Sequence, residues 1–276
     1  MKIDDLDVIN DFGNEWNYYD QLNLNDKEGE KIFLNYFGIF PWKLIGKESV
    51  GFDMGSGSGR WAKFVAPKVK HLHCIEPSEA IKISMQNLSN NENCSFHNKS
   101  IKNINLKDGS MDFGYSLGVI HHISDYQDAI ERCVCLLKPN SPILFYFYYS
   151  FDNKPFWYRS LWTLTDPIRL IISKLSFRTK VFITTIIASF IYFPLAKFSK
   201  FLSFFNLDTK NIPLSYYKDM SFYTMRTDAL DRFGTKLEQR FSKSEIENIL
   251  KSKGLKKITF SNKAPFWCVV GYKAEF

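Results

Sequence analysis

The chain has 276 residues, 45% hydrophobic and 24% charged, enough for one sizeable core with an elaboration on it. Its net charge of +7 does not mark a general nucleic-acid binder: six cations (Arg169, Lys174, Arg178, Lys180, Lys197, Lys200) fall between Asp166 and Asp208, where no acid occurs, and the remainder is close to neutral. Five scattered cysteines, an odd number with no secretory leader read ahead of them, argue against a disulfide framework and for a reducing cytoplasm; Cys133 and Cys135 would face nearly opposite sides of a helix, so no metal site is expected there.

In chain order, FGNEWNYYDQ (residues 12–21) is aromatic-rich and precedes the core. ESVGF then reads as a buried strand leading to Asp53, followed by Gly55, Gly57 and Gly59 at alternate positions and by RWAKFVAPKV, with apolar residues at helical spacing. Glycine permits positive φ and close backbone approach, so such a turn can curl beneath a ligand and present N–H groups at a helix start. Asp53, at the strand end, can accept a hydrogen bond from a donor or cationic group of that ligand. A second apolar run, KHLHCIEPS, ends in Glu76, 17 residues beyond the last glycine, where a carboxylate can take both hydroxyls of a ribose. This spacing leaves two ligands open, a dinucleotide and S-adenosylmethionine. Arg60 stands where the dinucleotide pattern needs a glycine, and no lysine followed by Ser or Thr closes the turn as in a phosphate-binding loop.

Further along, Ser124 with Gln127 reads as a capping box for a helix carrying Ala129, Ile130, Cys133, Leu136 and Leu137, and Ser242 with Glu245 as another, stopped by Gly254. The alternation of strands and helices argues for a parallel sheet wound on both faces. Between residues 151 and 235 the alternation lapses. VFITTIIASFIYFPLA is sixteen residues without a charge, short of the ~20 that span a bilayer, interrupted by Pro194 and flanked by basic residues. Three readings stay open: peripheral contact with an anionic membrane through 169–205, a cap that receives a lipid-linked acceptor, and a hairpin packed on the sheet or on a second subunit.

The D-x-G-x-G-x-G pattern with a second-strand acid resembles motif I of the Rossmann-like (class I) S-adenosylmethionine-dependent methyltransferases, type 11 group. KDGSMDFGYSLGVIHHISD (107–125) is similar to that family's fourth-strand segment. LLKPNSPILFYFYY is similar to its helix, Lys-Pro turn and fifth strand, with Asn140 where glycine is commoner. FSKSEIENILKSKGLKKITF and FWCVVGYK are similar to its last helix and final two strands. The resemblance implies an α/β fold with a doubly wound, mostly parallel seven-stranded sheet and an antiparallel last strand. It divides the chain into an N-terminal lid segment (1–47), a core (48–150 and 236–276) and a helical insert (151–235) between strands 5 and 6.

It also implies S-adenosyl-L-methionine as cofactor, held by Gly55, Gly57 and Gly59 and the adjoining Arg60 and Trp61, with Glu76 on the ribose and Pro77 and Ser78 flanking the adenosine. Ser100 falls where the family usually has an acid toward the adenine amino group, with Ile101 beside it, and Leu117 and Gly118 fall at the methionine end. The N-terminal segment resembles that of a bacterial subgroup, and Trp16, Tyr18 or Tyr19 is expected to fold over the cofactor as a lid, where an aromatic face favours a sulfonium; simple packing of an N-terminal helix onto the sheet is the alternative.

Methyl transfer from a sulfonium needs in-line approach and exclusion of water. For a hydroxyl acceptor a neutral imidazole removes the proton, and His122, with His121 next, is the candidate base. Tyr217, Tyr223, Arg226 and Arg240 are candidates for the acceptor pocket, and the subgroup implies a small-molecule or glycan-type acceptor. No nucleic-acid partner is expected, since SLGVIHH stands where an Asn/Asp-Pro-Pro-aromatic motif would be, and no Pro-Cys nucleophile is present. Asp152 and Asn153 resemble the pair of magnesium-dependent catechol-type enzymes, but the partner acid is missing, so no metal is expected. A non-catalytic S-adenosylmethionine-binding partner protein is the alternative of another class. The expected place is the cytoplasm or the inner membrane face, and the oligomeric state is open.

Overall fold

A computed structural model describes residues 5–275; residues 1–4 of the expected lid segment, and Phe276, lie outside it. The helices in chain order are α1 (Asp5–Tyr18), α2 (Asp26–Phe37), α3 (Ala62–Val65), α4 (Ala80–Asn87), α5 (Tyr126–Leu136), α6 (Phe156–Ile172), α7 (Phe177–Ile187), α8 (Phe193–Phe204), α9 (Phe222–Gly234) and α10 (Lys243–Ser252). The strands are β1 (Val50–Met54), β2 (His71–Ile75), β3 (Cys94–His97), β4 (Phe113–Leu117), β5 (Pro142–Tyr146), β6 (Leu255–Phe260) and β7 (Cys268–Lys273). The chain forms two compact units, one of Met1–Leu22, Gly29–Tyr149 and Leu237–Phe276, the other of Asn23–Glu28 and Ser150–Lys236.

The first unit is built on a seven-stranded sheet of order β3-β2-β1-β4-β5-β7-β6. β1 to β5 pair in parallel, and β7 runs antiparallel between β5 and β6. The expected α/β sheet, its antiparallel last strand and the helical segment between β5 and β6 are therefore all present. β4 is buried at every position and β5 at all but its last, because both faces of the sheet are covered; this is why these runs read as continuous apolar stretches rather than alternating ones. On one face Phe52, Met54, Ile75, Phe145 and Phe147 pack with Ile130 and Cys133 of α5 and Ile246 and Leu250 of α10. Neighbouring strands interlock. A Cβ on Gly51 would come within 2.3 Å of the Phe113 ring, and one on Gly114 equally close to Phe52, so each central strand yields space to its neighbour's aromatic ring.

Local signals mostly operate as the sequence suggests. Ser242 and Glu245 form the expected capping box, worth ~1 kcal/mol, and Gly254 at φ 81° follows the helix end. Asn140 sits at φ 62° in the Lys-Pro turn, the conformation that makes glycine common there and that asparagine tolerates. Two expectations are corrected. Ser124 does not cap α5: Asp125 takes the N-cap position, and its carboxylate turns to Lys102 at 2.9 Å instead of to the helix. The helix after Gly59 lasts one turn, because Pro67 has no N–H to continue it and the chain tightens into a 3-10 turn, Ala66–Lys68.

The second unit is helical. Phe177–Phe204 is one helix of 28 residues that comprises α7, a π-helical turn (Ala188–Tyr192) and α8. Pro194, expected as an interruption, is absorbed because the wider turn just before it accommodates a residue that cannot donate. Ala188, Tyr192 and Ala196 pack with Ile172 of α6 and with Met225, Ala229 and Phe233 of α9. Ser221 caps α9, and the carboxylate of Glu28 accepts from the Ser221 N–H (2.9 Å), the Ser221 hydroxyl (3.0 Å) and the Thr224 hydroxyl (2.6 Å), fixing that cap.

Candidate active site

The carboxyl ends of the parallel strands β1, β2 and β4 meet along one edge of the sheet, where α/β folds of this winding bind their ligands. β1 leaves the sheet through the glycine turn. Gly55 (φ 76°) and Gly57 (φ 52°) adopt backbone that only glycine takes without strain, and the space is as restricted as the dihedral. A Cβ on Gly55 would lie 2.3 Å from Val119, and one on Gly57 3.0 Å from the indole nitrogen of Trp16.

Glu76 follows β2 and is buried. Its Oε2 accepts from the Gly57 N–H at 3.0 Å, and its Oε1 accepts from the Ser78 N–H (2.9 Å) and the Ser78 hydroxyl (2.6 Å). The carboxylate thus ties the glycine turn to the start of α4 while Oε2 keeps a second lone pair. The Asn98 amide holds the same corner from behind, donating to the carbonyls of Glu76, Pro77 and Ser78 at 3.0–3.1 Å. Asp53 is fully buried, and neither carboxylate oxygen has a hydrogen-bond partner of good geometry among the described residues. Burial pushes its carboxyl well above the usual carboxylate range; the Tyr115 hydroxyl pulls part of the way back, and the Glu76 charge adds to the rise.

α1 runs over this edge. Phe12 lies against His122 with ring centroids 4.8 Å apart, a Cβ on Gly13 would be 3.3 Å from that of Ser78, and Trp16 rests on Gly57. Asn87 anchors the segment after α1, donating to the carbonyls of Asp20 (2.8 Å) and Ser58 (2.9 Å).

Beyond β4, Gly118 at φ 82° has open space where a side chain would be, next to the buried Leu117. His121 and His122 follow in a short 3-10 turn, both buried. His122 Nδ1 lies 2.6 Å from the carbonyl of Leu237. A carbonyl only accepts, so Nδ1 carries the proton and, in the neutral ring, the lone pair is on Nε2. His121 is the opposite tautomer: its Nδ1 accepts from the Tyr148 N–H at 3.3 Å, which leaves the proton on Nε2, a buried atom with no hydrogen-bond partner among the described residues. Burial first, then the nearby His122 and Arg240, hold the His121 pKa well below 6.5. Tyr148 stacks on His121 at 3.7 Å, and Arg240 lies over the Tyr148 ring at 5.2 Å.

A family profile described as a methyltransferase domain matches residues 52–145, the stretch from within β1 to within β5 that holds the glycine turn, Glu76 and both histidines. Residues 52–145 are a class I S-adenosylmethionine-dependent methyltransferase domain. The chain of known structure in the complex between the Haloferax volcanii Trm112 methyltransferase activator and a candidate methyltransferase is 12% identical, with 95% of this chain and 98% of that one covered at a TM-score of 0.51. A candidate exported protein of Bordetella parapertussis is 10% identical over 90% of this chain and 69% of that one, also at 0.51. A SAM-dependent methyltransferase of Thermotoga maritima is 14% identical over 95% and 100%, at 0.47. At these identities the first two share the fold alone. No curated protein matches the sequence significantly.

The cofactor of this methyltransferase is S-adenosylmethionine, and three observations show that the residues present suit it. Glu76 has acceptor capacity left on Oε2, Asp53 has two buried oxygens wanting a donor, and the space beside Gly118 is open.

The other expected residues fall in different settings. Ser100 starts the 3-10 turn Ile101–Asn103 without a side-chain cap, and the Ile101 side chain is buried in the sheet core. Arg60 lies over the Trp61 ring at 4.2 Å, and Trp61 packs on Tyr36. Of the acceptor-pocket candidates, Tyr217, Tyr223 and Arg226 belong to the second unit and Arg240 to the first. Tyr217 lies against Tyr192, the rings tilted at 50° with centroids 5.4 Å apart, and its hydroxyl interacts with Asp228. Arg240 pairs with the buried Glu238 at 2.8 Å and donates to the Tyr149 carbonyl at 3.1 Å. Among the described residues no cluster of His, Cys, Asp and Glu suits a metal ion.

Asn98, Asn87, Tyr148 and Leu237 are absent from the sequence reading. Asn98, directly after β3, had a local signal in its place at a strand end; the Leu237 carbonyl, 115 residues from His122, had none.

Proposed function

We propose that the methyltransferase acts on a hydroxyl group of a small or glycan-type acceptor, with His122 as general base. The observation that carries this reading is the 2.6 Å hydrogen bond from His122 Nδ1 to the Leu237 carbonyl. It fixes the tautomer whose Nε2 can receive a proton, and the carbonyl stabilises the imidazolium as it forms. Phe12, His121 and Tyr148 surround the ring at centroid distances of 4.8, 4.2 and 5.4 Å and hold its orientation. His121, neutral because it is buried, offers Nε2–H as a donor to the incoming acceptor.

When bound, the cofactor supplies a methyl group already activated on a sulfonium, so the protein's task is position and exclusion of water. In this reading Gly55, Gly57 and Gly59 line its methionine and ribose portions, with Arg60 and Trp61 bracing the turn from behind. Glu76 takes the ribose hydroxyls as the Ser78 hydroxyl gives way, and Asp53 accepts from the amino group. Pro77, Ser78 and the backbone at Ser100 and Ile101 border the adenine, Leu117 and Gly118 the methionine end, and Trp16 closes over the turn. Single-turnover methyl transfer tests the base: His122→Gln should be slowed severely with cofactor affinity intact, and an unchanged rate removes the assignment.

A second reading, an acceptor carried on a lipid, is favoured by one observation: long rows of exposed apolar side chains in the helical segment between β5 and β6. Comparing turnover of one acceptor headgroup free in water and carried on a lipid in vesicles separates the two.

A further inference from the structure

The helix Phe177–Phe204 is long and apolar enough to cross a membrane by length and composition. Its sides tell a different story. Val181, Thr184, Ala188, Tyr192, Ala196 and Ser199 form a buried stripe that packs on α9 and on the turn Ser215–Asp219, elements that carry Asp219, Asp228, Asp231 and Arg232. On the opposite side Phe182, Ile186, Phe190, Phe193, Phe201 and Phe204 recur every three or four residues, or at twice that interval, and all are exposed; Phe190 is 77% and Phe204 82% accessible. A helix that crossed the bilayer would take the charged α9 with it, at a cost of several kcal/mol for each unsatisfied polar group. A helix lying in the interface buries only the phenylalanine side, and the row from Phe182 to Phe204 is about 33 Å long at 1.5 Å per residue. α6 repeats the pattern with Trp157, Leu161, Leu164, Ile168 and Ile171, all exposed.

The charges select the occupant. No acid occurs between Asp166 and Asp208, while Lys174, Arg178, Lys197 and Lys200 are all exposed there. Lys197 falls within the phenylalanine row with its ammonium 5.2 Å from the Phe193 ring, the arrangement in which a lysine stem lies along apolar surface and its head reaches a polar boundary. Lys200 reaches Asp219 at 3.3 Å; a second copy of the same face would set Lys174, Arg178 and Lys197 against their own kind across a stretch that holds no acid. Negatively charged headgroups above a hydrocarbon layer match both the charge and the apolar row.

We propose that residues 156–207 form a docking surface for an anionic lipid bilayer, with Phe177–Phe204 lying in the plane of the interface and its phenylalanines inserted among the acyl chains. The inference concerns the helical unit alone and holds whichever acceptor His122 serves.

Flotation of the full chain with phosphatidylglycerol vesicles and with phosphatidylcholine vesicles tests it, with S-adenosylmethionine titration and circular dichroism as checks on folding. At low salt the protein should rise with the phosphatidylglycerol vesicles, bind phosphatidylcholine about tenfold less, and lose most of the difference at high salt. The double variant Phe190→Ser, Phe204→Ser should keep its cofactor affinity and helix content and lose about tenfold or more of its vesicle binding. The quadruple variant Lys174→Gln, Arg178→Gln, Lys197→Gln, Lys200→Gln should lose the preference for phosphatidylglycerol. Failure of the unaltered protein to float with phosphatidylglycerol, or flotation unaffected by the two phenylalanine changes, overturns the proposal. So does a protein that ignores vesicles and forms dimers that the phenylalanine variant dissolves, which would make the row an interface between copies.

Discussion

In β5 the residues from Pro142 to Phe145 are all buried, whereas in Phe177–Phe204, equally apolar in sequence, a buried stripe and an exposed one run side by side. The same contrast holds between the two units as wholes. The exposed large apolar residues described in the sheet-bearing unit, Leu6, Tyr18, Leu22, Leu34, Leu44 and Met85, are scattered singly, as on most protein surfaces, while those of the helical unit form rows. The difference teaches that apolar content alone does not say what a segment is for. A parallel strand covered on both faces has one environment, and every side chain must suit it; a helix has a periphery, and each side can meet a different medium. The sheet-bearing unit spends its polar groups on a single edge, where Asp53, Glu76, His121 and His122 gather, and the helical unit presents polarity as a rim of lysine and arginine around aromatic rows.

This division of labour can be broken or sharpened by experiment. The largest effect is expected at His122: His122→Gln should lower single-turnover methyl transfer by about 10²–10⁴-fold at unchanged melting temperature, while Phe190→Ser leaves the rate on a water-soluble acceptor as it was. Equal losses in both variants would dissolve the distinction between the two units. Next comes Glu76→Ala, which removes the acceptor for the Gly57 N–H along with the ribose contact. Calorimetry should show cofactor affinity weaker by about 100-fold, in line with the loss of charge-assisted hydrogen bonds.

Asp53→Asn should act in two directions. Cofactor affinity falls by about tenfold, but the cofactor-free protein melts about 2–4 °C higher, because a buried carboxyl with no partner of good geometry is no longer present. A lower melting point would mean that the carboxylate is paired in the native state. The smallest effect concerns acid. Burial, with His71 and His97 nearby, lowers the His73 pKa to about 4, and burial likewise lowers those of His97 and His121. These rings stay neutral in the folded chain where the unfolded chain protonates, so stability is lost as pH falls from about 6.5 toward 4. The raised pKa of Asp53 has the opposite sign over the same interval and offsets part of the loss, so Asp53→Asn should steepen the decline in melting temperature on acidification.

Much of the core was legible in the sequence because its signals are local. Three glycines within five residues, an acid at each of two strand tips, and a Ser-x-x-Glu before an apolar run each state their conformation within a single turn of chain. Where a local signal failed, a neighbour had overruled it: Pro67 cut short the helix after Gly59, and Lys102 drew Asp125 away from capping α5. What could not be read was set by contacts distant in sequence. The two histidines are equivalent as letters, and only the Tyr148 N–H on one and the Leu237 carbonyl on the other make them opposite tautomers. The hydropathy of 181–196 was plain, but which side of that helix meets its neighbours depends on α9, some thirty residues further on.

The buried carboxyl of Asp53 has one more consequence. Burial raises its pKa and so favours the protonated acid, while a cationic group settling against it favours the carboxylate, so uptake of the cofactor should be accompanied by release of hydrogen ion to the medium. Heats of uptake recorded in buffers of different ionisation enthalpy should differ accordingly, and affinity for the cofactor should weaken as the medium turns acidic.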